Sequence, residues 1–244
     1  MVRIYAHRGA SAELPENTLA AFRRALALGA DAIETDAHLT RDGHVVLSHD
    51  PTGARMAGVS RAIADCTLEE LSSWNVGHGL RMPTLAEALV EFPDTSFNVD
   101  VKVRTPQMIA AVMEVIACKK AQQRVLLASF DSGALRAIRA AGYSGQTGMG
   151  RTEIARLALT PRLLLGGLPV KGHRAQVPVA AFGIELASRG FIERCHAKKI
   201  AVDFWTIDDP IQARELVELG ADGIVTNDVA AVVAAIGKRP GERL

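Results

Sequence analysis

Glu34 and Asp36 stand two apart in "DAIETD", and Asn98, Asp100 and Lys102 alternate through "SFNVDVK". Residues two apart on a β-strand share a face. The first segment therefore sets two carboxylates side by side. The second sets an acid beside an ammonium, while Phe97, Val99, Val101 and Val103 take the opposite face. Ionised groups turned away from water are costly without a compensating charge. Taken singly, these pairs read as a solvated strand end and a structural ion pair. Taken together they call for a divalent cation. Oxygen donors with no histidine or thiolate pattern beside them favour a hard ion, Mg²⁺ or Ca²⁺.

His7 and Arg8 follow "IYA" at the end of the first strand-like run, and His49 ends another, "VVLSHD". A planar guanidinium suits phosphate, and imidazole titrates near neutral pH. Two such histidines can flank a scissile bond as general acid and base. Trp205 shares the parity of Asp203 in "VDFWT" and is expected to form an aromatic wall. His38 continues the parity of Glu34 and Asp36, whereas His44, His78, His173 and His196 are expected to be surface or structural.

The elements that must position these residues alternate along the whole chain. Strand-like runs are "RIYAH", "DAIETD", "HVVLSHD", "SFNVDVK", "RVLLASF", "IAVDFWT" and "DGIVTN". Between them lie helix-like runs with apolar residues at three- and four-residue spacing. Such alternation implies a mostly parallel sheet. "ALALGADAIETD" and "ELVELGADGIVTND" repeat one joint, a helix closed by Gly29 or Gly220 that leads into a strand. That echo near both ends favours a closed (β/α)8 TIM barrel over an open doubly wound sheet. The expectation is a single domain over 1–244, with a small insertion at 51–81 between the second strand and its helix. The first helix, after "LPEN", is expected to be capped by Glu16 or Asn17. The stretch 150–180 shows no placeable strand or helix.

Composition narrows the class. Of 244 residues, 48% are hydrophobic and 23% charged, with a net charge of +1, so no basic field points to nucleic acid. Three scattered cysteines, Cys66, Cys118 and Cys195, fit neither a disulfide framework nor a zinc site. The N-terminus carries no signal-peptide core and no stretch reaches membrane-spanning length, so a cytoplasmic protein is expected. A nucleotide-binding glycine loop and a GxSxG elbow are both missing.

The ordered segments "AHRGASAELPENTLAAF", "GADAIETDAHLTRDGHVVLSHD", "MPTLAEAL", "FNVDVK", "VDFWTIDDP" and "LGADGIVTND" resemble the glycerophosphodiester phosphodiesterase family. The resemblance implies a (β/α)8 barrel that uses one divalent cation, Mg²⁺ or Ca²⁺. Its substrate is a small glycerophosphodiester, cleaved to sn-glycerol 3-phosphate and an alcohol. By motif position, His7 and His49 are the acid/base pair. Glu34, Asp36 and Asp100 are the metal ligands. Arg8 and Lys102 face the phosphate, and Trp205 the substrate. The chain departs from the family at Asp100, usually Glu, and at Asp208, usually Asn. The shorter Asp100 is expected to change its reach to the ion, and Asp208 to add negative charge at the rim. Lysophospholipase D-type hydrolysis is an alternative, with Met56, Val59, Trp74 and Leu80 of the insertion as an acyl groove. A non-catalytic binding barrel is a further one.

Overall fold

The computed structural model describes residues 2–181 and 183–237. The ends of the expected domain, Met1 and 238–244, lie outside them. Among the described residues, eight parallel strands form one sheet that curls on itself. They are β1 (Arg3–His7), β2 (Ala32–Leu39), β3 (Ser96–Val101), β4 (Val125–Ala128), β5 (Gln146–Thr147), β6 (Arg174–Val177), β7 (Ala201–Phe204) and β8 (Gly223–Thr226). The order is β5-β4-β3-β2-β1-β8-β7-β6. A parallel bridge between Gly148 and Arg174 joins β5 to β6 and brings the ring round. Met149 N donates to Arg174 O at 2.8 Å across the same seam. The architecture is the expected (β/α)8 barrel.

A helix follows every strand: α1 (Leu19–Ala27), α2 (Leu85–Glu91), α3 (Pro106–Cys118), α4 (Ser132–Ala140), α5 (Arg151–Leu159), α6 (Arg189–Ala197), α7 (Pro210–Leu219) and α8 (Val229–Ala235). Strand alternation sets the core. Phe97, Val99 and Val101 of β3 face outward into the layer beneath the helices, where Phe22 of α1 meets Phe92 and Phe97 edge-on at 6.3 and 6.1 Å. The opposite faces point into the lumen. There Arg174 Nε donates to Asp203 Oδ2 at 2.6 Å, and the Arg174 guanidinium lies over the Tyr5 ring. Gly29 and Gly220 take left-handed φ values of 101° and 110°, as the repeated joint predicts.

Three details depart from the sequence reading. Helix α1 is capped by Thr18, whose Oγ1 accepts from Ala21 N at 3.2 Å, and not by Glu16 or Asn17. The run "HVVLSHD" is no barrel strand. Its core, Val45–Leu47, turns back antiparallel onto the end of β2, with His38 opposite Val46. A tight turn permits this: Gly43 at φ 86°, with Thr40 N donating to His44 O at 2.9 Å. The opaque stretch 150–180 holds α5, a 3-10 helix Arg162–Gly167 and β6.

The insertion contains a short antiparallel pair, Thr52–Gly53 with Val59–Ala62, and two small helices, Ala54–Ala57 and Leu68–Ser72. It has its own apolar cluster around Val46, Ile63, Leu71, Trp74, Val76 and Met82. No helix among the described residues is long and apolar enough to cross a membrane.

Candidate active site

β1 delivers His7 to the C-terminal mouth of the barrel, where catalytic groups of this fold collect. Arg8 then turns at φ 60° and Gly9 at φ 85°. A Cβ on Gly9 would stand 2.8 Å from the backbone of Ala21, so only glycine lets the loop pass over α1. Arg8 N donates to Glu34 O at 2.9 Å and ties this turn to β2.

The carboxylates share one face of the neighbouring strands β2 and β3, as the alternation predicts. Asp36 is opposite Asp100 in the β2–β3 register, and Glu34 opposite Asn98. Glu34, Asp36 and Asp100 are 7, 2 and 5% exposed. Lys102 Nζ sits 2.7 Å from Asp36 Oδ1 and 2.7 Å from Asp100 Oδ2. Arg8 Nε is 3.2 Å from Asp36 Oδ2, an ion-pair distance without hydrogen-bond alignment. Three carboxylates thus face two cations. Burial, and then the charges of Asp36 and Asp100, push the Glu34 carboxyl well above its ordinary range. Burial raises Asp100 as well, against the pull of Lys102. Burial opposes the Lys102 ammonium, but the two aspartates outweigh it and raise its pKa.

Asp100 Oδ1 and Asn98 Oδ1 are buried without a hydrogen-bond partner. Orphaned acceptors beside an excess of negative charge fit a hard cation. Among the described residues no three acid, imidazole or thiol side chains are gathered into a metal-binding cluster. The Lys102 ammonium lies between Asp36 and Asp100 and neutralises the oxygens an ion would use.

Each histidine is held by an oxygen on its Nδ1. His7 Nδ1 lies 2.8 Å from Asn227 Oδ1, and its Nε2 lies 3.8 Å from Glu34 Oε2. Burial and the neighbouring Arg8 charge lower the His7 pKa. His49 Nδ1 lies 2.8 Å from Asp50 Oδ1. Burial would raise the Asp50 carboxyl, but hydrogen bonds from Arg55 and His49 win and hold it low. Ser48 N donates to Asp36 O at 3.0 Å, so the His49 turn rests on the strand end that carries the carboxylates. His38 Nε2, 3.3 Å from His49 O, supports the same turn.

Sequence reasoning missed the residues that brace this centre. Asn17, read as a cap, donates Nδ2 to Asp36 Oδ2 at 3.1 Å and accepts from Thr35 Oγ1 at 2.6 Å. Glu16 accepts from Arg8 Nη1 at 3.3 Å and from Arg55 Nη2 at 2.6 Å. Arg55 Nε in turn donates to Asp50 Oδ2 at 2.6 Å. The insertion is thereby strapped across the mouth from His49 to Arg8. Their signal was the polar "PEN" before a helix that already had a cap in Thr18. Asp208 is exposed at the rim, and its carboxylate accepts from Thr226 and Asn227. Trp205 is half-buried and meets the exposed Phe130 edge-on at 5.5 Å. Lys102 Nζ stands 5.8 Å from the Phe130 ring, which places this aromatic pair on the rim of the same centre.

A (β/α)8 barrel whose mouth unites carboxylates, cations and two oriented imidazoles has the make-up of a hydrolase of anionic esters. Comparison with known proteins makes that class specific. The model of the glycerophosphoryl diester phosphodiesterase family matches residues 7–231. The chain is 29% identical to the glycerophosphodiester phosphodiesterase of Caldanaerobacter subterraneus subsp. tengcongensis, over 96% of this chain and 98% of that protein. It is 26% identical to a lysophospholipase D of Rattus norvegicus, over 92% of this chain and 83% of that one. Among solved structures, an Oleispira antarctica phosphodiesterase in complex with the product sn-glycerol-3-phosphate superposes with a TM-score of 0.82 at 25% identity, covering 97% of each chain. The chain belongs to the glycerophosphoryl diester phosphodiesterase family.

Proposed function

We propose that this chain is a divalent-metal-dependent phosphodiesterase that hydrolyses glycerophosphodiesters to sn-glycerol 3-phosphate and an alcohol. The observation that carries the reading is the pairing of both imidazoles. Asn227 and Asp50 occupy the Nδ1 of His7 and His49, which leaves each Nε2 for chemistry beside one cluster of carboxylates and cations.

Glu34, Asp36 and Asp100 would hold Mg²⁺ or Ca²⁺, which when bound supplies Lewis-acid stabilisation of the phosphoryl oxygens. Lys102 must leave the space between the two aspartates for this, and its ammonium is then free to meet the phosphate. Arg8, braced by Glu16, offers a fixed fork to another phosphate oxygen. These charges matter most as negative charge builds in the transition state. His7 is kept neutral by burial and Arg8. Its Nε2 takes the proton from the attacking hydroxyl, whether of water or of the neighbouring glycerol carbon. His49, backed by the Asp50 carboxylate, gives a proton to the leaving alkoxide as the P–O bond to the alcohol breaks. Trp205 and Phe130, paired edge-on, offer an aromatic surface to the organic part of the ester.

A small polar ester fits better than a lysophospholipid. Met56, Val59, Trp74 and Leu80, the expected acyl groove, pack into the insertion's own cluster, with Trp74 only 7% exposed. The test is turnover of glycerophosphocholine and lysophosphatidylcholine, each with and without chelator. The expected result is chelator-sensitive release of glycerol 3-phosphate from the first and little turnover of the second. Preference for the lysolipid would overturn the substrate assignment, and full activity in chelator would overturn the metal assignment.

A further inference from the structure

We propose that Asp208, in the loop between β7 and α7, is a positioning residue that locks His7 into its Nδ1–H tautomer through Asn227. The inference rests on the proposed role of His7 as proton acceptor and deepens it.

An ionised carboxylate only accepts. Asp208 Oδ1 accepts from Asn227 N at 2.7 Å and from Thr226 Oγ1 at 3.0 Å. Asp208 Oδ2 lies 2.8 Å from the Asn227 side-chain nitrogen. The carboxylate therefore dictates which way the Asn227 carboxamide points, with Nδ2 toward Asp208 and Oδ1 toward His7. Ser11 Oγ lies between two acceptors, 2.8 Å from His7 O and 2.9 Å from Asn227 Oδ1, so its single proton leaves the orientation to Asp208. A carboxamide oxygen in contact with His7 Nδ1 at 2.8 Å can only accept, so that nitrogen carries the proton. In the neutral ring the lone pair is then on Nε2, the atom turned toward Glu34 and the carboxylate cluster. Burial of Asp208 is outweighed by its hydrogen bonds from Asn227, which hold its carboxyl below the usual range and keep it a pure acceptor. Remove that charge and the carboxamide is free to turn over. Its NH₂ would then face His7 Nδ1 and favour the other tautomer, whose Nε2 is protonated and cannot take a proton.

Three variants and one spectrum decide it. Asp208→Asn keeps the size of the side chain but lets either end face Asn227. It is expected to lower kcat about 10–100-fold with KM changed less than about 2-fold, since a wrong tautomer damages chemistry rather than binding. The exchange Asp208→Asn with Asn227→Asp puts the carboxylate directly against His7 Nδ1 and an amide behind it. It is expected to recover at least about 10-fold of the lost kcat, a rescue that general damage to the loop would not give. The ¹⁵N spectrum of the His7 ring is expected to report the Nδ1–H form in the unmodified protein and a loss of that form in Asp208→Asn. An Nε2–H ring in the unmodified protein would overturn the proposal without any variant. So would full kcat in Asp208→Asn alongside an inactive His7→Gln. If His7→Gln itself kept full activity, the reading of His7 as proton acceptor would fall, while the ring spectrum would still decide whether Asp208 sets the tautomer.

Discussion

Replacing Lys102 by methionine removes the ammonium that neutralises Asp36 and Asp100 and leaves two buried carboxylates face to face. Each contact of 2.7 Å is worth about 6 kcal/mol of gross attraction at an effective dielectric of about 20. Most of this is offset by the cost of drying the charges. A firmer bound comes from protonation. Once the ammonium is gone, the pair can relieve itself by binding one proton. For an ordinary aspartate that costs about 4 kcal/mol at pH 7 and about 1.5 kcal/mol at pH 5, at 1.36 kcal/mol per pH unit. Asp100, already raised by burial, protonates more easily still. Lys102→Met is therefore expected to destabilise the metal-free protein by about 3 kcal/mol at pH 7, and by about 1 kcal/mol at pH 5. A divalent cation at about 100 times its dissociation constant adds about 2.7 kcal/mol to stability. The loss should thus be largely restored by Mg²⁺ or Ca²⁺ at neutral pH. Urea denaturation at both pH values, with chelator and with cation, measures all of it. A penalty that is the same at pH 5 and pH 7, or that no divalent cation relieves, would refute the charge-balance reasoning.

Two further outcomes follow from the scaffold. Glu87 closes the capping box of α2, accepting from Thr84 N at 2.8 Å. Arg81 and that backbone N–H, against some burial, hold its carboxyl down at about 2. Because the folded value lies below the ordinary 4.5, the stabilisation is complete above about pH 4.5 and fades as pH falls toward 2. Glu87→Ala is accordingly expected to cost about 1 kcal/mol at pH 7 in denaturant melts, with the gap from the unmodified protein closing below pH 4.5. Phe22 is fully buried between Phe92 and Phe97, and Phe22→Ala should cost about 3–5 kcal/mol by the same assay. A cost below about 1 kcal/mol would mean that the helix–sheet layer repacks.

Most of the barrel was legible because its strands obey a simple period. β2 and β3 carry acids on one parity and aliphatics on the other, and the glycine joints before β2 and β8 announce the helix ends. β5 was not legible, since Gln146–Thr147 is two residues long and too short to show any alternation. β6 was hidden for a different reason. Its first residue, Arg174, is a half-buried cation that pairs with Asp203 on the neighbouring strand, and local pattern carries no trace of a partner 29 residues away. The same limit governs the site. The carboxylates sit on regular strands, with Lys102 directly after one, and their shared face follows from parity. His7 and Asn227 meet across 220 residues, at the seam where the last strand closes on the first. A lone asparagine after "IVT" reads as a turn until that closure is known. The antiparallel return of Val45–Leu47 likewise brings His49 to the mouth by a route unlike the other strands, through the turn at Gly43.

The central claim is that the acids of β2 and β3 and the two imidazoles form one phosphodiester-cleaving centre. A crystal of the protein with Ca²⁺ or Mn²⁺ and sn-glycerol 3-phosphate tests it most directly. The account predicts an anomalous peak within about 2.6 Å of oxygens from Glu34, Asp36 and Asp100. It also predicts a phosphate bounded by Arg8 and Lys102, with the Nε2 atoms of His7 and His49 turned toward it. A cation bound elsewhere, or a phosphate seated away from either imidazole, would contradict it.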